Sequence, residues 1–226
     1  MKKMNTNTKY VKYLEEIGFK KATKFDIEKY VVNEFNYIYD ALWYIYNGSL
    51  NLEELKMDNL PLIITGDLNI SNSIITEDYN GLVVLGKTTA ESLYIDGNTY
   101  LEDVRFSKIL VTSGNGAPRI VKRAEGPFIY HSSDSVVFYD VSKVQYYLNT
   151  EDTDSIVNFI ESVEDYTKYL YSFNDWSFTT KEEFDKDEHA EEQYDTFENY
   201  LAYEVGIDVD KVKKAIENNT LKFKKN

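Results

Sequence analysis

Short apolar runs organise the centre of this chain. Between residues 60 and 148 they restart every 18 to 20 residues, first as Leu62-Ile63-Ile64-Thr65-Gly66-Asp67-Leu68-Asn69-Ile70 and then as Leu82-Val83-Val84-Leu85-Gly86-Lys87. Looser versions follow at residues 100–106, Ile109-Leu110-Val111, Ile120-Val121, Phe128-Ile129-Tyr130 and Val136-Val137-Phe138-Tyr139. Turn-forming clusters separate them, among them Ser71-Asn72-Ser73, Asp96-Gly97-Asn98 and Ser113-Gly114-Asn115-Gly116. Each run is too small to enclose a core. Together they predict a short parallel β-solenoid of four to five coils, each stable only against its neighbours.

The flanks change period. Tyr10, Tyr13, Leu14 and Ile17 fall at helical spacing with Gly18 placed to end the turn, and the pattern from Phe25 through Ile38 and Leu42 to Ile45 predicts a second helix. After the repeat, Ile156, Phe159, Ile160, Val163, Tyr166, Tyr169 and Leu170 make one amphipathic stripe. Thr180 and Glu183 match a capping box, Phe184, Tyr194, Phe197, Tyr200, Leu201 and Val205 supply an apolar side, and a last helix spans residues 208–218. The expected class is therefore α+β. A helical cap covers residues 1–59, the β-solenoid 60–150 and an acidic helical region 151–226.

Other solenoids fit less well. The hexapeptide frame of left-handed β-helices, started at Ile64, meets Thr76, Thr88, Tyr94 and Tyr100; a pentapeptide frame fails when Leu68 is extended to Ser73; a leucine-rich pattern at Leu52, Leu55 and Met57 does not recur. The run from Leu62 to Ile70 resembles instead the coils of small bacterial right-handed β-helix proteins, which read as an apolar triplet, Gly-Asp-Leu and a further strand. The resemblance implies a right-handed coil. Short acidic proteins of this look occur as immunity proteins in polymorphic-toxin systems, so it also implies a protein-neutralising role.

Charge divides the chain more sharply than composition does. Residues 151–208 carry 18 Asp or Glu against Lys168, Lys181 and Lys186, while the remaining 21 acids and 22 bases nearly cancel; this one segment accounts for the formal net charge of −14. Such a surface repels nucleic acid and attracts a basic protein. With no cysteine, a disulfide framework, a thiolate metal site and a cysteine nucleophile are excluded. A basic, polar start without an apolar leader, and no run long enough for a membrane span, lead to the expectation of a cytoplasmic protein that engages no membrane.

Candidate chemistry is sparse. His189 lies in a run of acids and reads as part of a solvated face, while His131 beside Ser132, Ser133 and Asp134 offers the residue types of a triad at adjacent positions, where they do not converge. Asp67, Asn69, Ser71 and Asp78 approach calcium-loop spacing, but Asn72 replaces the glycine such a loop requires. No catalytic residue, metal site or cofactor is therefore assigned. The partner-binding residues expected are Trp176, Phe178, Glu182, Glu183, Asp187, Glu188, Glu191, Glu192, Asp195 and Glu198, an aromatic loop followed by an acidic helical face. The function expected is a non-enzymatic module, specifically an immunity protein occluding a basic toxin such as a nuclease, as a monomer or small homo-oligomer. The alternative is a structural or polymer-forming β-helical scaffold.

Overall fold

A computed structural model of the chain describes residues 8–31, 35, 41–57, 60–76, 80–112, 117–131, 136–150, 152–171, 178 and 180–224. The chain divides into two compact units, Met1–Tyr146 and Tyr147–Asn226. The first holds a parallel β-solenoid of about five turns.

Each coil has three sides, and each side stacks in register on the next coil. On the first side β2 (Tyr44–Tyr46) pairs in parallel with β5 (Leu62–Ile64), which pairs with the start of β8 (Gly81–Ile95). On the second, β3 (Leu50–Leu52) pairs with β6 (Leu68–Ile70), and on the third, β4 (Leu55–Lys56) pairs with β7 (Ser73–Thr76). Both continue onto β8. From there whole coils are single bent strands: β8, β9 (Asn98–Thr112), β10 (Arg119–His131) and β11 (Val136–Asn149).

The register turns a sequence repeat into columns. Leu55, Ile74, Leu93, Leu110 and Ile129 form one, all buried. Stacking at a tight corner explains the glycines: a Cβ on Gly66 would lie 2.5 Å from the backbone carbon of Gly48, and one on Gly86 would lie 2.5 Å from that of Gly66. Gly48 also takes a positive φ of 114°. Next to the glycines, the Asp67 carboxylate accepts a hydrogen bond from the Lys87 backbone N–H one coil on (2.8 Å). Asn69 donates its side-chain amide to Asn51 one coil back (3.0 Å).

The repeat begins earlier than its apolar pattern suggests. The second helix, α2, spans only Lys24–Tyr30, and the stretch read as its continuation to Ile45 is instead partly strand, since Tyr44, Ile45 and Tyr46 pair with Leu62, Ile63 and Ile64. Aromatic and β-branched residues fit a pleated, half-covered surface, so pairing outweighs the helical spacing. Leu50, Leu55 and Met57 are likewise buried in the first coil.

The N-terminal segment covers this coil twice. α1 (Thr8–Glu16) ends at Gly18, which has a φ of 102°, and β1 (Lys20–Lys21) then pairs antiparallel with β2, closing the edge of the stack with two exposed lysines. α2, capped reciprocally by Thr23 and Asp26, leads to Val31 and Phe35, which with Ala22 and Trp43 are buried against Ile45, Ile63 and Val83. These three residues are the outward column of the first side.

The second unit is helical. α3 (Thr153–Ser162) buries Ile156, Phe159 and Ile160, but the expected stripe is not one helix: Val163 is extended, Asp165 takes φ 51°, and a 3-10 turn at Tyr166–Tyr169 returns Tyr169 and Leu170 to the core. α4 (Lys181–Phe184), α5 (Glu188–Tyr194) and α6 (Phe197–Tyr200) follow, then a π turn at Leu201–Val205. Gly206, with a φ of 72°, stops it before α7 (Val209–Glu217). No helix among the described residues is long and apolar enough to cross a membrane.

Candidate functional site

The acidic face lies on α4 to α6, which an aromatic cluster holds. Phe184 meets Phe178 (5.8 Å between ring centres), Phe197 (5.7 Å) and Tyr200 (5.8 Å), and Tyr200 also meets Tyr194 (5.4 Å). Phe178 donates its backbone N–H to the Tyr200 hydroxyl (2.9 Å). It is half-buried, with its ring in this cluster. Trp176 lies outside the described residues.

The carboxylates sort by what they already hold. Glu183 closes the capping box, accepting from the Thr180 backbone N–H (3.2 Å), while its own N–H donates to the Thr180 hydroxyl (3.2 Å). Asp187 starts α5, accepting from the backbone N–H groups of His189 (3.0 Å) and Ala190 (3.1 Å). These two side chains serve local structure first. Asp195 occupies a left-handed turn with φ 58° before Thr196 caps α6. It is exposed, and Glu198 is half-buried.

Glu182 and Glu192 stand far out, 81% and 82% exposed, beside the exposed Lys186 (2.7 Å) and His189 (3.9 Å), the second an ion pair only when the imidazole is protonated. Pairs this wet hold little energy and give way readily to a partner's cation. Glu188 and Glu191 lie on α5, with their side chains outside the described set.

Two tyrosines border this face, Tyr194 from the expected apolar side and Tyr203, which the helical spacing did not single out. The Tyr194 hydroxyl receives a hydrogen bond from Gln193 (2.8 Å) and donates one to Glu204 (2.6 Å). That bond to Glu204, then burial and the carboxylate charge, push the phenol up to about 12. Tyr203, 68% exposed, lies 6.5 Å from the Tyr194 ring. It falls off the apolar stripe, so only the π turn shows where it points.

The residues that resembled chemical motifs have structural partners. His131 is buried, its Nδ1 2.9 Å from the Thr112 hydroxyl and its ring edge-on to Phe138 at 5.7 Å. Ser132, Ser133 and Asp134 lie outside the described residues. Asp67 and Asn69 belong to the inter-coil ladder already described, and Asp78 is outside the described set. No group of three or more His, Asp or Glu that could hold a metal ion occurs among the described residues.

On the solenoid the charges pair between coils, as in Arg105 with Glu125 (3.3 Å), Arg123 with Asp103 (4.0 Å) and Lys143 with Glu125 (4.0 Å). The buried Arg119 donates to the Asp96 carbonyl (2.6 Å) and sits 3.3 Å from its carboxylate. In comparisons with known proteins, no family model, curated protein or solved structure matches the chain.

Proposed function

We propose that this protein is a non-enzymatic binding module that engages a basic protein partner through the acidic face of α4 to α6. The observation that carries the reading is the separation of charge: 18 acids against three lysines in residues 151–208, beside a remainder close to neutral. Two of these acids, Glu182 and Glu192, are more than four-fifths exposed and meet exposed partners. A surface of one sign accelerates encounter with a partner of the other and fixes its orientation.

In its specific form the partner is a toxin and the chain an immunity protein that blocks it by occlusion. A nuclease is the kind of toxin whose phosphate-binding cleft offers the required positive surface. The resemblance of residues 62–70 to Gly-Asp-Leu coils supports this form. The β1 cover over the first coil supports it over an open-ended filament, which needs both ends of the stack bare.

Binding to the C-terminal domain of a large secreted protein encoded immediately upstream tests the reading. Association is expected to slow steeply with salt, and Glu182→Lys with Glu192→Lys and Asp195→Lys is expected to lower its rate about tenfold or more. An unchanged rate in the triple variant overturns the acidic-face mechanism. Absence of such a neighbouring gene removes the toxin-immunity form.

A further inference from the structure

The corner between the second and third sides of the coil changes length along the stack. On its near side Asn69 pairs with Thr89 and Thr89 with Arg105; on its far side Ser73 pairs with Ser92 and Ser92 with Ile109. Three residues, 70–72, turn the corner between β6 and β7, and three, 106–108, turn it in β9, but in β8 only Ala90 and Glu91 do. A corner one residue short lies back from the corners on either side of it. The recess it leaves is a cavity of about 450 Å3, with Ser71 on one neighbouring coil, Ser107 on the other and Glu91 between them. Small-molecule sites span roughly 300–1,000 Å3.

Alternation along the strands sorts the lining into two kinds. Ile70, Ala90 and Phe106 are buried and form an apolar floor, whereas Thr89 and Arg105 face outward in the column that begins at Asn51 and Asn69. The hydroxyls of Ser71, Thr89 and Ser107 make no hydrogen bond among the described residues. Two charged groups complete the rim. Glu91 meets Lys108 through Oε1 (2.5 Å) and Arg105 meets Glu125 through Nε (3.3 Å), while Glu91 Oε2 and the terminal guanidinium nitrogens of Arg105 have no partner among the described residues.

This rim selects against an ionic ligand. An anion would compete with Glu125 for Arg105 and face Glu91; a cation would compete with Lys108 for Glu91 and face Arg105. A neutral ligand leaves both pairs intact. It must donate to the carboxylate, accept from the guanidinium, exchange hydrogen bonds with hydroxyls and lay C–H surface on the floor. A carbon ring bearing adjacent hydroxyls does all four.

From this geometry we infer that the recess at the short corner of β8 binds a neutral polyhydroxylated ligand, a monosaccharide unit, with Glu91 and Arg105 holding its adjacent hydroxyls. The inference is independent of the acidic face and of its partner.

Titration of the isotope-labelled full chain with D-glucose, D-galactose, D-mannose or myo-inositol, to about 50 mM and followed by amide chemical shifts, tests it. At least one is expected to give saturable shifts centred on residues 69–72, 89–92 and 105–108, with a Kd of about 1–10 mM. Charged gluconate and glucosamine and zwitterionic glutamine are expected to leave these amides in place. Glu91→Ala and Arg105→Ala should each weaken binding about tenfold, and Lys87→Ala, outside the recess, should not change it. The methyl glycoside of the sugar that binds separates two sources: retained affinity assigns the end of a glycan chain, and lost affinity a free sugar. No saturable shift with any of the neutral compounds, shifts centred elsewhere, an equal response to the charged or zwitterionic compounds, or full affinity in both alanine variants overturns the proposal.

Discussion

In the unit Met1–Tyr146, Leu62 is held by Tyr44 and Leu82, 18 and 20 residues away, and the same relation repeats from coil to coil. In Tyr147–Asn226, Phe184 meets Phe178, Phe197 and Tyr200, all within 16 residues, in one cluster with no repeat. A column spreads its stabilisation over many similar contacts, so a change in one coil is felt by the two beside it. A cluster concentrates it in a few large rings. Charge follows the same division. The solenoid pairs Arg105 and Arg123 with acids on adjacent coils, whereas Glu182 and Glu192 of the second unit are more than four-fifths exposed.

The strongest test of that contrast is Phe184→Ala. Removing a fully buried ring on which three others lean should cost about 3–5 kcal/mol, seen in denaturant unfolding and in loss of amide protection across α4 to α6. A loss under about 1 kcal/mol, below what a buried ring is worth, would show that the cluster is not concentrated as described.

Glycine distinguishes the units next. In Gly66→Ala the new methyl meets backbone of the preceding coil, which cannot turn aside, and a cost of about 1–3 kcal/mol is expected. In Gly206→Ala the nearest atom is a Tyr171 ring carbon at 3.5 Å, so the backbone alone opposes it: φ 72° with ψ 173° is a region almost only glycine enters, for about 1–3 kcal/mol. A cost at Gly206 below about 1 kcal/mol would show that its own backbone does not fix this glycine.

Alkaline titration compares one tyrosine from each unit. Burial first, then a hydrogen bond to Glu102 (2.6 Å) and its charge, push Tyr100 up to about 12; in Tyr194 the bond to Glu204 comes first. In both, folding favours the neutral phenol. The stabilisation is therefore complete below the ordinary value of 10.0 and is lost as pH rises through about 12. Tyr100→Phe and Tyr194→Phe should each flatten the fall in unfolding midpoint over that window, and an unchanged slope in both would disprove the assignment.

The smallest effect is expected at the exposed ladder. Asn69→Ala breaks the bond to Asn51 and should cost about 0.5–1.5 kcal/mol. A null result in equilibrium unfolding would place the coil-to-coil energy in the aliphatic columns alone.

Much of this was legible along the chain because it is local. The 18 to 20 residue restart, Gly66 and Gly86, the Thr180–Glu183 capping box and the acidic segment are set by neighbours in sequence and by the pleat or the helical turn. The sequence alone thus determined a parallel solenoid, helices on either side of it in the chain, and where the charge lies. Tertiary structure decided what depends on partners far along the chain. Residues 44–46 carry both a helical period and β-forming side chains, and only their register with Leu62–Ile64 selects strand. Phe178 looks like a surface aromatic until Phe184 and Tyr200 close on it. Glu182 and Glu183 are both exposed glutamates, yet one reaches Lys186 and the other closes a cap, because a helix start has backbone N–H groups to satisfy and its outer face does not.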